Sequence, residues 1–247
     1  MSLYYEHHVR LAGMDADGRG ICKASALLNH LQIAAALAAE EGGFGREALV
    51  ERYGAFWMLA RSWFRLKRPL LWEDDITIRT WHRGGTSAIM YRDYDIFCNG
   101  EQVGESVSGW VLAHVDSHKL MRLGDVTELE GTSGGALCKT MTLAKLRHPA
   151  QLRTAAQRPM YYSDTDINGH VNNIRYADFA CDAVEMEGLP RDRFLCEMQI
   201  GYLAECRPGD LLTLQVGEQG EGRYVRGIDA GGNSRFEAAL FFGEVLP

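Results

Sequence analysis

The segment Asp164–Asn173 (DTDINGHVNN) holds the densest group of side chains that could take part in acid–base or nucleophilic chemistry. Asp166, Asn168 and His170 alternate in it, and residues two apart in an extended loop point the same way. We therefore expect these three side chains to face one pocket, where a carboxylate and an imidazole could activate a nucleophile. Asp and Asn are also typical of turns and helix N-caps, and that structural alternative stays open.

Two neighbouring features could complete such a site. A helix predicted to begin at about Asn172 would offer backbone N–H groups at Asn172 and Asn173, where a developing oxyanion would be stabilised. A second patch, Tyr202–Cys206 (YLAEC), places Glu205 and Cys206 at the end of an apolar strand. A free cysteine is more often a small buried hydrophobic residue than a nucleophile, so both interpretations of Cys206 remain.

The elements that position these residues occur twice along the chain. Each half is predicted to contain a strand, a long helix and about four antiparallel strands, which is an α+β arrangement. The stretch RPLLWEDDITI (68–78) resembles ECRPGDLLTL (205–214), so we predict an internal duplication, with two unrelated halves as the alternative. The predicted boundaries are a first repeat at 1–124, a linker at 125–145 and a second repeat at 146–247.

The predicted elements have the following bounds. The helices are Ala24–Glu40 and Asn172–Glu187, which have apolar residues at helical spacing. The strands are rich in β-branched and aromatic residues and are separated by turn signals such as Asn99-Gly100. They are Tyr4–Leu11, Phe56–Leu66, Ile76–His82, Ala88–Phe97, Val103–Val115, Arg158–Tyr162, Phe194–Leu203, Leu211–Gly217, Arg223–Ala230 and Ser234–Val245.

The two halves differ in their polar residues. We call Asp164–Asn173 the reactive segment. The matching segment of the first half is Asp15–Ile21 (DADGRGI), which has neither histidine nor asparagine. The segment that matches the Glu205 region is Arg68–Leu71 (RPLL), which has no acid. A purely structural cap should recur in both halves, whereas one active site need not. We therefore expect one active site per chain, in the second half.

Composition excludes several classes of function. The net charge is −7 and 24% of residues are charged, so binding to nucleic acid or to anionic membranes is not expected. The six cysteines have no metal-ligand spacing, and we expect reduced thiols, no metal and no cofactor. The N-terminus MSLYYEHHVR lacks the pattern of a signal peptide, and the apolar run Ile33–Ala39 is too short to span a bilayer. We expect a soluble cytoplasmic protein.

DTDINGHVNNIRY (164–176) resembles the signature loop and helix of the plant and bacterial acyl-acyl-carrier-protein (acyl-ACP) thioesterases. YLAEC resembles the second catalytic patch of that family, and LLNHLQ (27–32) and WEDDITIRTW (72–81) extend the likeness to the first half. The resemblance implies a double hotdog fold and the hydrolysis of fatty acyl-ACP to free fatty acid and holo-ACP in fatty acid biosynthesis. It implies a catalytic set of Asp166, Asn168, His170 and Glu205, with Cys206 once proposed as the nucleophile.

The resemblance also places the acyl chain in the first repeat, and docking of the acidic carrier protein requires a local basic patch. For the chain we predict a pocket that could equally be plain core, formed by Leu31, Ala35, Trp57, Leu59 and Trp63. For the carrier we predict a basic surface that could equally be a solvated strand face, formed by Arg61, Arg65, Lys67 and Arg68.

Three rival functions remain at this stage. An acyl-CoA thioesterase would use the same site on a different carrier. Dehydration of a 3-hydroxyacyl thioester is another hotdog reaction, and a non-catalytic acyl-thioester binding module is the third rival. The sequence predicts neither a chain-length preference nor whether the protein is a monomer or a homodimer.

Overall fold

The computed structural model describes residues 4–85, 88–126, 134–135, 139 and 143–245. Its three α-helices are α1 (Ala24–Glu41), α2 (Arg46–Tyr53) and α3 (Arg175–Ala183). The strands of the first half are β1 (Tyr5–Arg10), β2 (Ala55–Leu66), β3 (Asp75–Gly85), β4 (Met90–Cys98), β5 (Glu101–His114) and the short β6 (Leu120–Met121). Those of the second half are β7 (Arg153–Pro159), β8 (Arg193–Tyr202), β9 (Leu211–Gln219), β10 (Gly222–Ile228) and β11 (Ser234–Glu244).

All the strands lie in one antiparallel sheet with the order β1-β3-β4-β5-β2-β8-β11-β10-β9-β7, and β6 pairs with β5. The order within the second half, read from its outer edge inward, repeats that of the first half. The halves join where β2 pairs with β8 over Arg61–Arg65 and Glu197–Gly201. The predicted α+β class is confirmed, and each half folds as a helix against its own five-stranded portion of the sheet.

The core lies between the helices and one face of this sheet. Alanines 34, 35, 177 and 180 on α1 and α3 are almost fully buried, and small side chains let the two helices approach each other closely. Strand residues such as Phe64, Ile78 and Leu240 complete a single core cluster that draws on both halves. The opposite face of the sheet carries a smaller cluster of Trp63, Val107 and Leu143.

The helices differ from the predicted ones in length. The first helix matches Ala24–Glu40 within a residue, but the second begins three residues after the predicted Asn172 and ends at Ala183. Asn172 does not start a helix because its side-chain Oδ1 accepts the Ile174 N–H and its own N–H donates to the Asp164 carbonyl. Helix α2 was not predicted, because its apolar spacing is weak and it is stabilised by packing of Leu49.

Strand β7 was also placed wrongly. The sequence predicts a strand at Arg158–Tyr162, whereas β7 ends at Pro159 and Tyr162–Asp164 form a 3₁₀ turn. The carboxylate of Asp164 accepts the Tyr161 N–H at 2.9 Å, which turns the chain at that point. Most of the predicted linker at 125–145 lies outside the described residues.

The described helices include none that is long and apolar enough to cross a membrane. Five cysteines within the described ranges are free thiols, and Cys138 lies outside those ranges.

Candidate active site

The buried carboxylate of Asp164 holds the reactive segment in place. The Asp164 side chain is fully shielded from solvent and accepts two hydrogen bonds of 2.7 Å from the Arg158 guanidinium. Arg175 at the start of α3 lies 3.3 Å from the same carboxylate. Burial raises the pKa of Asp164, but the hydrogen bonds from Arg158 and the Tyr161 N–H outweigh it, so the pKa lies below its ordinary value. Asp164 is therefore a structural anion that fixes the loop to the helix.

The segment after this anchor is a tight turn and not the extended loop that was predicted. Thr165 and Val171 form a β-bridge, the Asp166 N–H donates to the His170 carbonyl at 3.1 Å, and Gly169 has a φ of 76°. The Asp166 carboxylate accepts the Asn168 N–H at 2.8 Å, a typical Asx turn. Asp166 and His170 thus lie at the base of the turn, whereas Asn168 is exposed at its tip.

The turn brings His170 beside Glu205. The His170 Nε2 lies 3.7 Å from the Glu205 Oε1, and the two side chains are 17% and 28% exposed. The Glu205 backbone is held by the Arg235 guanidinium, which donates to the Glu205 carbonyl at 3.1 Å. Imidazole and carboxylate therefore meet at a partly exposed position, as the sequence comparison of the two patches suggested.

A second histidine reaches the same carboxylate from the first repeat. The His118 Nδ1 lies 3.3 Å from the Glu205 Oε1. An open cleft of about 470 Å³ lies beside these groups and is lined by Met58, His118, Ala204, Glu205, Arg207, Asp210 and Arg235. Sequence analysis did not identify His118, because it lies in a turn after β5 whose residues have no motif.

Cys206 lies next to Glu205 but faces the core. It is fully buried, and burial raises the pKa of its thiol. Its carbonyl accepts the Val171 N–H at 2.8 Å, which ties the YLAEC patch to the reactive turn. This environment disfavours a thiolate, and it suits the interpretation of Cys206 as a small core residue.

The two predicted oxyanion donors have different environments. The Asn172 N–H already donates to the Asp164 carbonyl at 2.8 Å, so it is not available to a substrate. The Asn173 N–H has no acceptor among the residues that the structure describes. Both precede α3, which begins at Arg175, so they form a turn and not the first turn of a helix.

The predicted acyl pocket is divided between the two faces of the sheet. Leu31 and Ala35 pack in the main core, and Trp57 lies on the inner side under α2, against the small cluster around Leu49. Trp63 lies on the outer face, packed with Val107 and Leu143. Alternation along β2 would place residues 57, 59 and 63 on one face, but a bulge between Leu59 and Arg61 reverses the pattern. Trp63 therefore cannot share a pocket with Leu31.

The predicted basic surface is partly neutralised by local contacts. The Arg61 guanidinium donates to the Leu143 carbonyl at 2.5 Å, and Arg65 pairs with Glu197 at 2.8 Å. The Lys67 ammonium donates to the Gln102 carbonyl at 2.9 Å, and Arg68 lies 3.6 Å from Asp74. Arg65 keeps 55% of its side chain exposed, against 38% for Arg68, so Arg65 is the more accessible of these two arginines, each of which pairs with a carboxylate.

The first repeat contains the same turn without the reactive residues. The Asp17 N–H donates to the Ile21 carbonyl at 2.8 Å, and the Arg19 N–H donates to the Asp17 carboxylate at 2.8 Å. The Cys22 N–H donates to the Leu70 carbonyl, just as the Val171 N–H donates to that of Cys206. These contacts match Arg19 with Asn168, Ile21 with His170 and Pro69 with Glu205.

Two family models cover most of the chain. The acyl-ACP thioesterase N-terminal domain matches residues 2–128, and the acyl-ACP thioesterase C-terminal domain matches residues 148–235. The chain belongs to the acyl-ACP thioesterase family. The predicted resemblance is therefore confirmed. The first family model ends at residue 128 and the second begins at residue 148, so the gap between them overlaps the predicted linker at 125–145.

Two curated relatives of this acyl-ACP thioesterase family member are plant enzymes. The chain is 24% identical over 186 residues to oleoyl-acyl carrier protein thioesterase 2, chloroplastic, of Arabidopsis thaliana, covering 69% of this chain and 49% of that protein. It is 26% identical over 187 residues to palmitoyl-acyl carrier protein thioesterase, chloroplastic, of Cuphea hookeriana, covering 72% and 44%. The chain thus spans about half the length of these relatives.

Solved structures agree with the fold. An acyl-ACP thioesterase from Bacteroides thetaiotaomicron superposes with a TM-score of 0.81 at 22% identity, covering 98% of this chain and all of that one. The 12:0-ACP thioesterase from Umbellularia californica gives 0.76 at 17% identity, covering 99% and 98%. These similarities confirm the double hotdog fold.

Proposed function

We propose that the protein hydrolyses fatty acyl-ACP thioesters to free fatty acid and holo-ACP. The observation that carries this proposal is the meeting of His170 and Glu205, 3.7 Å apart, beside an open cleft. Family membership adds the substrate class, because both curated relatives described above are named as acyl carrier protein thioesterases.

Glu205 is the best placed general base. Both imidazoles approach its Oε1, which leaves its Oε2 to accept a proton from water. The water oxygen attacks the thioester carbonyl carbon as its proton passes to Glu205, and the C–S bond then breaks. The leaving thiolate takes up the proton that Glu205 received from water, which regenerates the carboxylate, and the acyl group departs as a carboxylic acid. His170 positions the carboxylate and lies beside the reacting carbonyl.

Asp166 and Asn168 take supporting roles in this scheme. The Asp166 carboxylate already accepts the Asn168 N–H at 2.8 Å, which fixes the turn that presents His170. The Asn168 side-chain amide and the Asn173 N–H are the donors we propose for the carbonyl oxygen of the substrate. Direct attack by Asp166 is the alternative route, and attack by Cys206 is disfavoured by its burial.

The acyl chain is proposed to lie in the first repeat, on the inner face of the sheet. Leu31, Ala35, Trp57 and Leu59 supply apolar surface there, and all but Trp57 are buried. They are closely packed against their neighbours, so a long chain enters only if these side chains move apart. Trp63 has no part in this pocket.

Carrier-protein docking is proposed at the exposed ends of Arg65 and Lys67. A carrier rich in carboxylates would compete with Glu197 for the Arg65 guanidinium. We further propose a role in fatty acid biosynthesis within the cytoplasm, which is supported by the free thiols of the described cysteines.

The decisive experiment is thiol release from acyl-ACP and acyl-CoA substrates of eight to eighteen carbons. We expect a higher kcat/KM with acyl-ACP, and Glu205→Gln should abolish turnover of every substrate. Equal or faster hydrolysis of acyl-CoA would contradict the carrier assignment. Binding of acyl-ACP without any thiol release would contradict the assignment as an enzyme.

A further inference from the structure

The turn after β5 delivers a histidine of the first repeat to the candidate site of the second. Residues 115–117 form the turn, and the His118 N–H donates to the His114 carbonyl at 2.9 Å. His118 has a φ of 53°, a left-handed conformation that histidine tolerates better than most residues. The chain then returns as β6, with the His114 N–H donating to the Lys119 carbonyl. The backbone around His118 is thus fixed from both sides.

The imidazole of His118 is oriented by packing. Its ring lies edge-on to the Phe56 ring, with the centroids 5.4 Å apart and an interplanar angle of 64°. Beside this contact, the His118 Nδ1 lies 3.3 Å from the Glu205 Oε1. Phe56 is itself only 9% exposed, so the His118 ring packs on a buried side chain.

Glu205 is therefore flanked by two imidazoles on the same oxygen. His118 is the nearer of the two, at 3.3 Å against 3.7 Å for His170. If the imidazole carries its proton on Nδ1 and turns slightly, that N–H donates to Oε1 and fixes the orientation of the carboxylate. A carboxylate held at one oxygen presents the other in a defined direction, which general-base catalysis requires.

We propose that His118 is a positioning residue of the active site, supplied by the first repeat and acting through Glu205. The inference rests on the proposed function, since Glu205 is the base only if the protein hydrolyses thioesters. It assigns the first repeat a direct share in the catalytic centre, besides any role in holding the acyl chain.

The test compares two variants of nearly the same shape. Asn and Asp both tolerate the left-handed backbone, but only the Asn side chain can donate to Glu205. We expect His118→Asn to keep kcat within about threefold and His118→Asp to lower kcat by about 10- to 100-fold, which is less than the roughly 10²- to 10⁴-fold typical of a group that itself transfers the proton. KM should change little in both variants. His114→Asn, in the same turn, is the matched control and should be unchanged.

Several outcomes would overturn the proposal. Wild-type kcat in His118→Asp would show that the contact with Glu205 has no catalytic role. Equal losses in His118→Asn and His118→Asp would show that only the packing on Phe56 matters.

A second readout does not depend on activity. Long-range ¹H–¹⁵N NMR of the histidine rings should place the His118 proton on Nδ1 in the wild type, and this signal should change in Glu205→Gln. Unchanged spectra would overturn the contact, even in an active enzyme. A wild type that hydrolyses no acyl thioester would instead overturn the proposed function, while the spectra still report on the contact.

Discussion

The turn at Asp17–Cys22 and the turn at Asp166–Val171 have the same backbone hydrogen bonds and different chemistry. In each turn, the aspartate side chain accepts the backbone N–H of the residue two positions later. The last residue of the turn, Cys22 or Val171, donates its backbone N–H to a carbonyl of the loop that precedes β3 or β9. The framework of the candidate site is therefore structural and needs no catalytic purpose. The two turns differ in the side chains that the framework presents, which are His170 in place of Ile21 and Glu205 in place of Pro69.

The largest effect should come from replacing the histidine of the second turn by the residue that the first turn has at that place. His170→Ile gives the second turn the residue of the first, and we expect kcat to fall by about 10²- to 10⁴-fold with little change in melting temperature. Single-turnover hydrolysis of acyl-ACP measures the loss. The variant Ile21→Val serves as the control for an apolar change in the other turn. A His170→Ile enzyme with more than a tenth of wild-type activity would contradict the proposed site.

A second large effect concerns the anchors below the two turns. Asp164 is fully shielded and paired with Arg158, whereas the matching Asp15 keeps 17% of its side chain exposed and lies 3.6 Å from His30. We expect Asp164→Asn to lower the free energy of unfolding by about 3 kcal/mol, because it leaves the Arg158 charge without its partner. Asp15→Asn should cost less. Urea denaturation compares the two variants, and equal losses would contradict the difference.

The same anchor predicts a pH dependence. The folded-state pKa of Asp164 lies below its ordinary value, so its stabilisation is complete above the ordinary pKa and is lost as pH falls toward the folded-state pKa. Wild-type stability should therefore decline more steeply than that of Asp164→Asn below about pH 4. Parallel curves for the two proteins would show that folding does not lower the pKa of Asp164.

A smaller effect separates Cys206 and Asp166, the two side chains that could attack the thioester in place of water. We expect Cys206→Ala to keep kcat within about tenfold of wild type, since a buried thiol with a raised pKa contributes packing and not a thiolate. Its stability should fall by roughly 1 kcal/mol through the small cavity. Asp166→Asn, assayed beside it, should lose more activity. If only Cys206→Ala abolished turnover, the carboxylate mechanism would be wrong.

The smallest effect is expected when residues of the second turn are introduced into the first turn. Arg19→Asn combined with Ile21→His copies two reactive residues into the first turn, where Pro69 still occupies the place of the glutamate. In a His170→Ile background this change should restore no activity. A measurable rescue would show that the carboxylate is dispensable, and Glu205 would then lose its assigned role.

Sequence analysis identified the duplicated architecture because it leaves local patterns, whereas the expectation that His170 and Glu205 belong to one site came from comparing the two halves and from the family resemblance. Strand alternation and the Asn99-Gly100 turn depend on neighbouring residues, as does the apolar spacing of α1. The side chain of Asn172 could take the role of either a cap or a turn, and only the position of the Asp164 carbonyl decides between them. The late start of α3 therefore could not be predicted.

Two other features depend on distant parts of the chain. The bulge after Leu59 leaves no mark in the sequence of β2, yet it moves Trp63 to the outer face of the sheet. His118 becomes part of the site only because β2 and β8 lie side by side, which brings the turn after β5 to the end of β8. Such contacts follow from tertiary packing and not from motifs.

The pairing of β2 with β8 has a consequence for assembly. It joins the two repeats within one polypeptide, so His118 and Glu205 meet at a local concentration that the covalent linkage sets. An equivalent site built between two separate chains would dissociate on dilution, following mass action. In this protein the meeting of the two repeats is independent of the protein concentration.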